Sequence, residues 1–183
     1  MRKFLILLAA GCLVLYLCGC MGFPGGTQSG STESSRSQSA FQRKPLKIGE
    51  TAILGDFEIT LDNYAVQGEL PDKTLTYIPE NGNLYVCPSL TVTNRGTAAQ
   101  TFWPALSFQT AVRGVILYQD TYEYTPSVLW GYDGDLHDTY LEPQDTAAGI
   151  LIFSLPKEAA DSDNLVFVLK YGRQTVRFAL KQP

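Results

Sequence analysis

The chain has 183 residues, 45% of them hydrophobic, which suits one packed domain with extensions and excludes a wholly disordered chain. Its formal charge of −4 excludes binding to nucleic acid or anionic lipid through a general positive field.

The N-terminus carries Arg2 and Lys3, then an apolar block from Phe4 to Leu17. At about 14 residues the block is shorter than the roughly 18 or more of a spanning helix, so residues 1–19 read as a signal peptide. It ends in Leu17-Cys18-Gly19-Cys20, where a small residue sits directly before a cysteine. This is the pattern of a lipoprotein cleavage and acylation site: Gly19 suits a tight peptidase pocket, and the Cys20 thiolate is nucleophilic enough to accept a diacylglyceryl group. Cys12 follows Ala9-Ala10-Gly11, but cleavage there leaves apolar Leu13 to Leu17 on the product, and Cys18 follows bulky Leu17. Two acyl chains, at about 0.8 kcal/mol per buried methylene, hold a protein to a bilayer without a spanning helix. The expected address is the extracytoplasmic face of the cell membrane, lipid-anchored. Loss of Arg2 and Lys3 takes the formal charge to −6, and Cys87 is left as the one thiol, with no disulfide available.

Residues 20–44 hold the lipidated cysteine and a flexible linker rich in Gly, Ser and Gln. As a coil of about 24 residues it reaches roughly 25–30 Å. From Pro45 to Pro183 the apolar period is two. Phe57, Ile59 and Leu61 alternate with polar residues, and Gly55-Asp56 turns the chain back from Thr51 to Leu54. Leu84, Val86, Leu90 and Val92 form one face of the next strand, with Tyr85, Cys87, Thr91 and Thr93 on the other; Pro88 calls for an edge or a bulge. Asn94-Arg95-Gly96 turns into Gln100 to Trp103, and Arg113-Gly114 reads as a tight turn between Phe108 to Val112 and Val115 to Tyr118. Tyr118 to Tyr140 reads as a long aromatic and acidic loop. Ile150, Ile152 and Leu155 begin a further strand, Pro156 to Ala160 a single helical turn, and Leu165 to Tyr171 and Thr175 to Leu180 close the chain across Gly172. Eight or nine short strands and no long amphipathic helix predict an all-β, antiparallel β-sandwich.

Three stretches together resemble a family of bacterial extracytoplasmic, lipoprotein-associated immunoglobulin-like domains of unknown function, similar in fold to a mycobacterial immunoprotective antigen. They are Ile48-Gly49-Glu50-Thr51 through Leu54 to Leu61; Tyr85-Val86 through Leu90 to Gly96; and Leu141-Glu142-Pro143-Gln144-Asp145 through Gly149 to Pro156. Gln144 stands where the family turns with Gly. The resemblance implies an immunoglobulin-like fold and carries over no catalytic or ligand residue.

For chemistry, Ser154-Leu155-Pro156-Lys157, Ser162-Asp163-Asn164 and Lys170-Tyr171-Gly172 imitate the motifs of penicillin-recognising enzymes, but they crowd into about twenty residues and lack that structural context. His137 is the single histidine, with Asp133, Asp135 or Asp138 as the orienting acid of any relay; without a placed nucleophile it reads as a solvated loop residue. The same three aspartates are a weak calcium candidate that lacks the full calcium-loop pattern. Tyr122, Tyr124, Trp130, Tyr132 and Tyr140, with Tyr118, are the candidate ligand-facing loop, suited to a protein or a cell-wall glycan, or else a cover for the end of the core. Cys87 reads as a buried strand residue. The resulting expectation is a non-catalytic binding module with no cofactor; a small envelope hydrolase or metal-assisted enzyme built on His137, and a purely structural spacer, are the alternatives.

Overall fold

The computed structural model describes residues 44–104 and 111–181. The expected signal peptide, Gly19 and Cys20, all but the last residue of the linker, and the 108–110 part of one expected strand lie outside them.

The period-two segments become strands. Thr51–Leu54 (β1) and Phe57–Gln67 (β2) form a hairpin about Gly55, which takes φ +62 as a glycine can without strain. Leu70–Pro71 (β3) and Thr76–Tyr77 (β4) make a small ribbon, followed by the long Leu84–Asn94 (β5). Gln100–Phe102 (β6), Arg113–Tyr118 (β7), Tyr122–Tyr124 (β8), Thr139–Leu141 (β9), Thr146–Ile150 (β10) and Phe153–Leu155 (β11) come next. One helical turn, Lys157–Ala160 (α1), follows Pro156 as anticipated, and Leu165–Tyr171 (β12) and Gln174–Ala179 (β13) close the chain as a hairpin.

The first sheet runs β1-β2-β5-β10, with β11 also on β5; the second runs β13-β12-β7-β8, and β6 pairs with β9 apart from both. Val86, Leu90 and Val92 of the first sheet and Ile116, Phe167 and Phe178 of the second lie in one buried cluster. Phe153 of β11 meets Phe167 of β12 edge-on at 5.8 Å, joining the layers. Each buried Phe of this kind contributes about 1.5–3 kcal/mol. The fold is the expected antiparallel β-sandwich.

Several local expectations change. Arg113-Gly114 is no turn: both residues open β7, opposite Lys170 and Leu169 of β12. A Cβ on Gly114 would lie 2.5 Å from the Val168 carbonyl oxygen and 2.9 Å from Trp103, so the glycine answers a close approach within the sheet. The expected loop from Tyr118 to Tyr140 begins as a β7–β8 hairpin, turned by Gln119 and Asp120 at φ +54 and +55, and ends in β9. Pro88 lies inside the central strand β5, not at an edge. Nor is Pro88 itself at a bulge: it pairs in register with Tyr64, and the nearest bulge is in β2, where the register shifts between Leu61 and Asn63. On its other flank the pairs Ile150↔Ser89 and Phe153↔Val86 keep one register across a gap in the ladder, where proline has no N–H to give. Finally, the second face of β5 is also buried at one end: Tyr85 and Cys87 pack with Leu70 and Ile152 in a small outer cluster that Tyr77, Leu129 and Tyr132 flank.

Candidate functional site

Residues 133–138 are stitched to the free side of β10. Leu136 donates its N–H to the Ile150 carbonyl at 2.9 Å, Ile150 donates back to the Gly134 carbonyl at 2.8 Å, and Leu136 is buried. The approach requires Gly149, whose Cβ would fall 2.5 Å from the Gly134 oxygen. With Leu136 anchored, Asp135 and His137 are brought together. The Asp135 Oδ1 accepts the His137 backbone N–H at 3.0 Å and meets the imidazole Nδ1 at 2.5 Å. Their side chains are 4% (His137) and 8% (Asp135) exposed. The expectation of a solvated His137 is overturned: the strand-like clamp on Ile150 pulls the loop inward, and a carboxylate compensates the buried ring.

The other imidazole nitrogen, Nε2, is buried and has no hydrogen-bond partner. The His137 ring lies edge-on to Trp103, with centroids 5.8 Å apart. Trp103 is buried at φ +46, a left-handed conformation that bulky residues rarely adopt. Both rings contribute to a cleft of about 430 Å³ whose wall includes Arg113, Thr125, Val128 and Lys170. Arg113 and Lys170 are direct cross-strand partners in the β7–β12 register and so project from the same face of the sheet. Arg113 donates to the Pro104 carbonyl at 3.3 Å, and among the described residues neither cation has an ion-pair partner. A wider groove of about 810 Å³ near Asp120, Asp163 and Lys181 differs in this respect: there Asp120 is paired with Arg177 and Asp163 with Lys181.

The negative charge of Asp135 reaches the outer cluster. Burial first, and Asp135 second, push the Cys87 thiol up to about 12, which makes it a buried, unreactive thiol as expected. Burial and then the neighbouring Cys87 also raise Tyr132 above the usual phenol range.

The three aspartates of the calcium candidate have different partners. Asp133 forms an exposed ion pair with Lys73 at 2.8 Å, which holds its carboxyl below the ordinary carboxylate value, first through the hydrogen bond and then through the charge. Asp135 belongs to His137, and Asp138 donates its N–H to the Trp103 carbonyl at 3.2 Å. Among the described residues no group of three or more His, Cys, Asp or Glu side chains converges as a metal site.

The aromatic set divides. Tyr122 is exposed and stacked on Tyr118, while Tyr118 and Tyr124 pack against the main core. Tyr132 lies edge-on to Tyr77 over the outer cluster, with Trp130 exposed beside it, its carbonyl bonded to the Tyr77 hydroxyl. Tyr140 is exposed on β9 and bonds Glu142. Trp103, Arg113 and Lys170 of the cleft escaped the sequence reading; the available signal was a pair of single cations, each at the end of an otherwise apolar strand.

A family model for a domain of unknown function, DUF4352, matches residues 46–175. Among solved structures, an uncharacterized β-sandwich protein from Clostridium difficile 630 is 17% identical, with a TM-score of 0.55 over 76% of this chain and 97% of that one. A conserved hypothetical protein from Bacillus anthracis is 10% identical, with a TM-score of 0.48 over 74% of this chain and 96% of that one. No curated protein matches the sequence. The first of these supports the fold alone; the family model covers most of the β domain, and the chain therefore belongs to the DUF4352 family of domains of unknown function.

Proposed function

We propose that this protein is a lipid-anchored, extracytoplasmic binding module, tethered through Cys20 and taking its ligand in the cleft at Trp103, Arg113, His137 and Lys170. The address rests on one observation, the basic and apolar leader that ends at Gly19-Cys20. The immunoglobulin-like resemblance is supported by strand order: β2-β5-β10 runs as A-B-E would, and β8-β7-β12-β13 as C′-C-F-G would, in such a sandwich. The binding role rests on the cleft, whose wall takes Thr125, Pro126, Val128 and His137 from the 118–140 segment but none of the five aromatic residues expected to face a ligand. Nε2 of His137 meets no hydroxyl or thiol among the described residues, so the Asp135–His137 pair is read as a binding element and not as a relay.

Metabolic labelling with a fatty acid tests the tether. The wild-type chain and the Cys18→Ala variant are expected to carry the label, and Cys20→Ala to lose it. Label retained in Cys20→Ala contradicts the proposal.

A further inference from the structure

We infer that the cleft between the 125–128 segment and the end of the β7–β12 strand pair is an oxyanion site, taking a carboxylate or phosphate carried on a small apolar body. The inference deepens the binding reading above and does not depend on the lipid anchor.

Three polar groups converge there with different origins. Arg113 and Lys170 sit directly opposite each other on neighbouring antiparallel strands, a placement in which like charges repel and destabilise the sheet. In a chain of net charge −4, half-buried Arg113 and exposed Lys170 form a juxtaposed pair of cations with no acidic partner among the described residues, a local positive spot that suits an anion from outside. The third group is the His137 ring, nine-tenths buried, which contributes to the cleft wall; its Nδ1 is held by Asp135, and its buried Nε2 has no partner.

The rest of the wall sets the ligand's body. Trp103, Val128 and their neighbours Val115 and Pro126 are apolar, and Thr125 adds a hydroxyl. A volume of about 430 Å³ is within the ordinary range for small-molecule sites. An inorganic ion alone leaves that apolar wall unused, whereas an aromatic or aliphatic acid uses both parts. The left-handed backbone at Trp103 places strain at this cleft, where binding sites commonly hold it.

His137 is the single histidine of the chain, so its imidazole nitrogens give an unambiguous NMR signal in the untagged full chain in detergent. Titration with benzoate, inorganic phosphate and neutral benzamide, read at His137 Nε2, tests the site. Benzoate is expected to shift the Nε2 resonance saturably at millimolar concentration and benzamide to leave it in place. Arg113→Gln and Lys170→Gln, each checked for a melting temperature no lower than that of the wild type, are expected to weaken benzoate roughly tenfold, the scale of a lost charge-assisted hydrogen bond. Saturation by phosphate as well assigns the site to oxyanions in general, and by benzoate alone to carboxylates. No saturable shift with either anion, an equal response to benzamide, or unchanged affinity in both variants overturns the inference, and none of these outcomes touches the Cys20 anchor.

Discussion

Asn94 illustrates how a single polar side chain fixes local structure in this protein. Fully buried at the end of β5, it donates from Nδ2 to the carbonyls of Ala98 at 2.9 Å and Leu141 at 3.0 Å, and its Oδ1 accepts the Gly96 N–H at 2.9 Å. Asn94→Ala leaves these partners unsatisfied inside the protein, and chemical denaturation is expected to show a loss of about 2–4 kcal/mol. Cys87 gives a pH-dependent counterpart. Its thiol is raised from 9.0 to about 12, so between those values the folded chain keeps a proton that the unfolded chain releases. Its contribution is therefore complete below about pH 9 and is lost as pH rises toward 12. Wild-type stability is expected to fall faster than that of Cys87→Ala across that window, and the native thiol is expected to resist iodoacetamide at pH 8; parallel pH profiles in the two proteins contradict the account. Burial of Cys87 was legible from its residue type, free cysteine being among the most buried, and not from its face of the strand. Burial of His137 was not, because it depends on a backbone clamp between Leu136 and Ile150, fourteen residues apart, and on no residue type in the loop.

Elements show the same division between local and distant causes. Hairpins turned by glycine, at Gly55 and Gly172, were readable because the turn residue announces a positive φ. The β7–β8 hairpin was not, since Gln119 and Asp120 take that conformation without being glycine. Gln144 does the same at φ +71, filling the turn where the family resemblance expects Gly. Arg113-Gly114 misled in the opposite sense: the glycine meets a packing need against β12 and Trp103, which only the assembled sheet creates. Gly114→Ala is accordingly expected to destabilise by about 1–3 kcal/mol through overpacking, measured by thermal or urea unfolding. Gly149→Ala acts on an element boundary. By pushing against the Gly134 carbonyl it is expected to loosen the 133–138 segment from β10, seen as faster hydrogen exchange at the Leu136 and Ile150 amides, with β12 amides unchanged.

For the whole molecule, alternation and turn spacing carried the two-layer sandwich and the Gln100–Trp103 segment that becomes β6, while the β3–β4 ribbon, β9 and the outer cluster around Cys87 were beyond them. Strands as short as β3, β4 and β9 have too few positions to show a period. With Cys87 buried and the other cysteines preceding the β domain in sequence, cohesion of that domain comes from its core, and its melting temperature is expected to be the same with and without reductant. The proposed tether is the claim on which the protein's role turns. Mass spectrometry of the mature N-terminal peptide from the membrane-extracted protein tests it directly: the account predicts a chain that begins at Cys20 with a diacylglyceryl group on sulfur, and a chain that begins elsewhere, or carries a free thiol at Cys20, contradicts it.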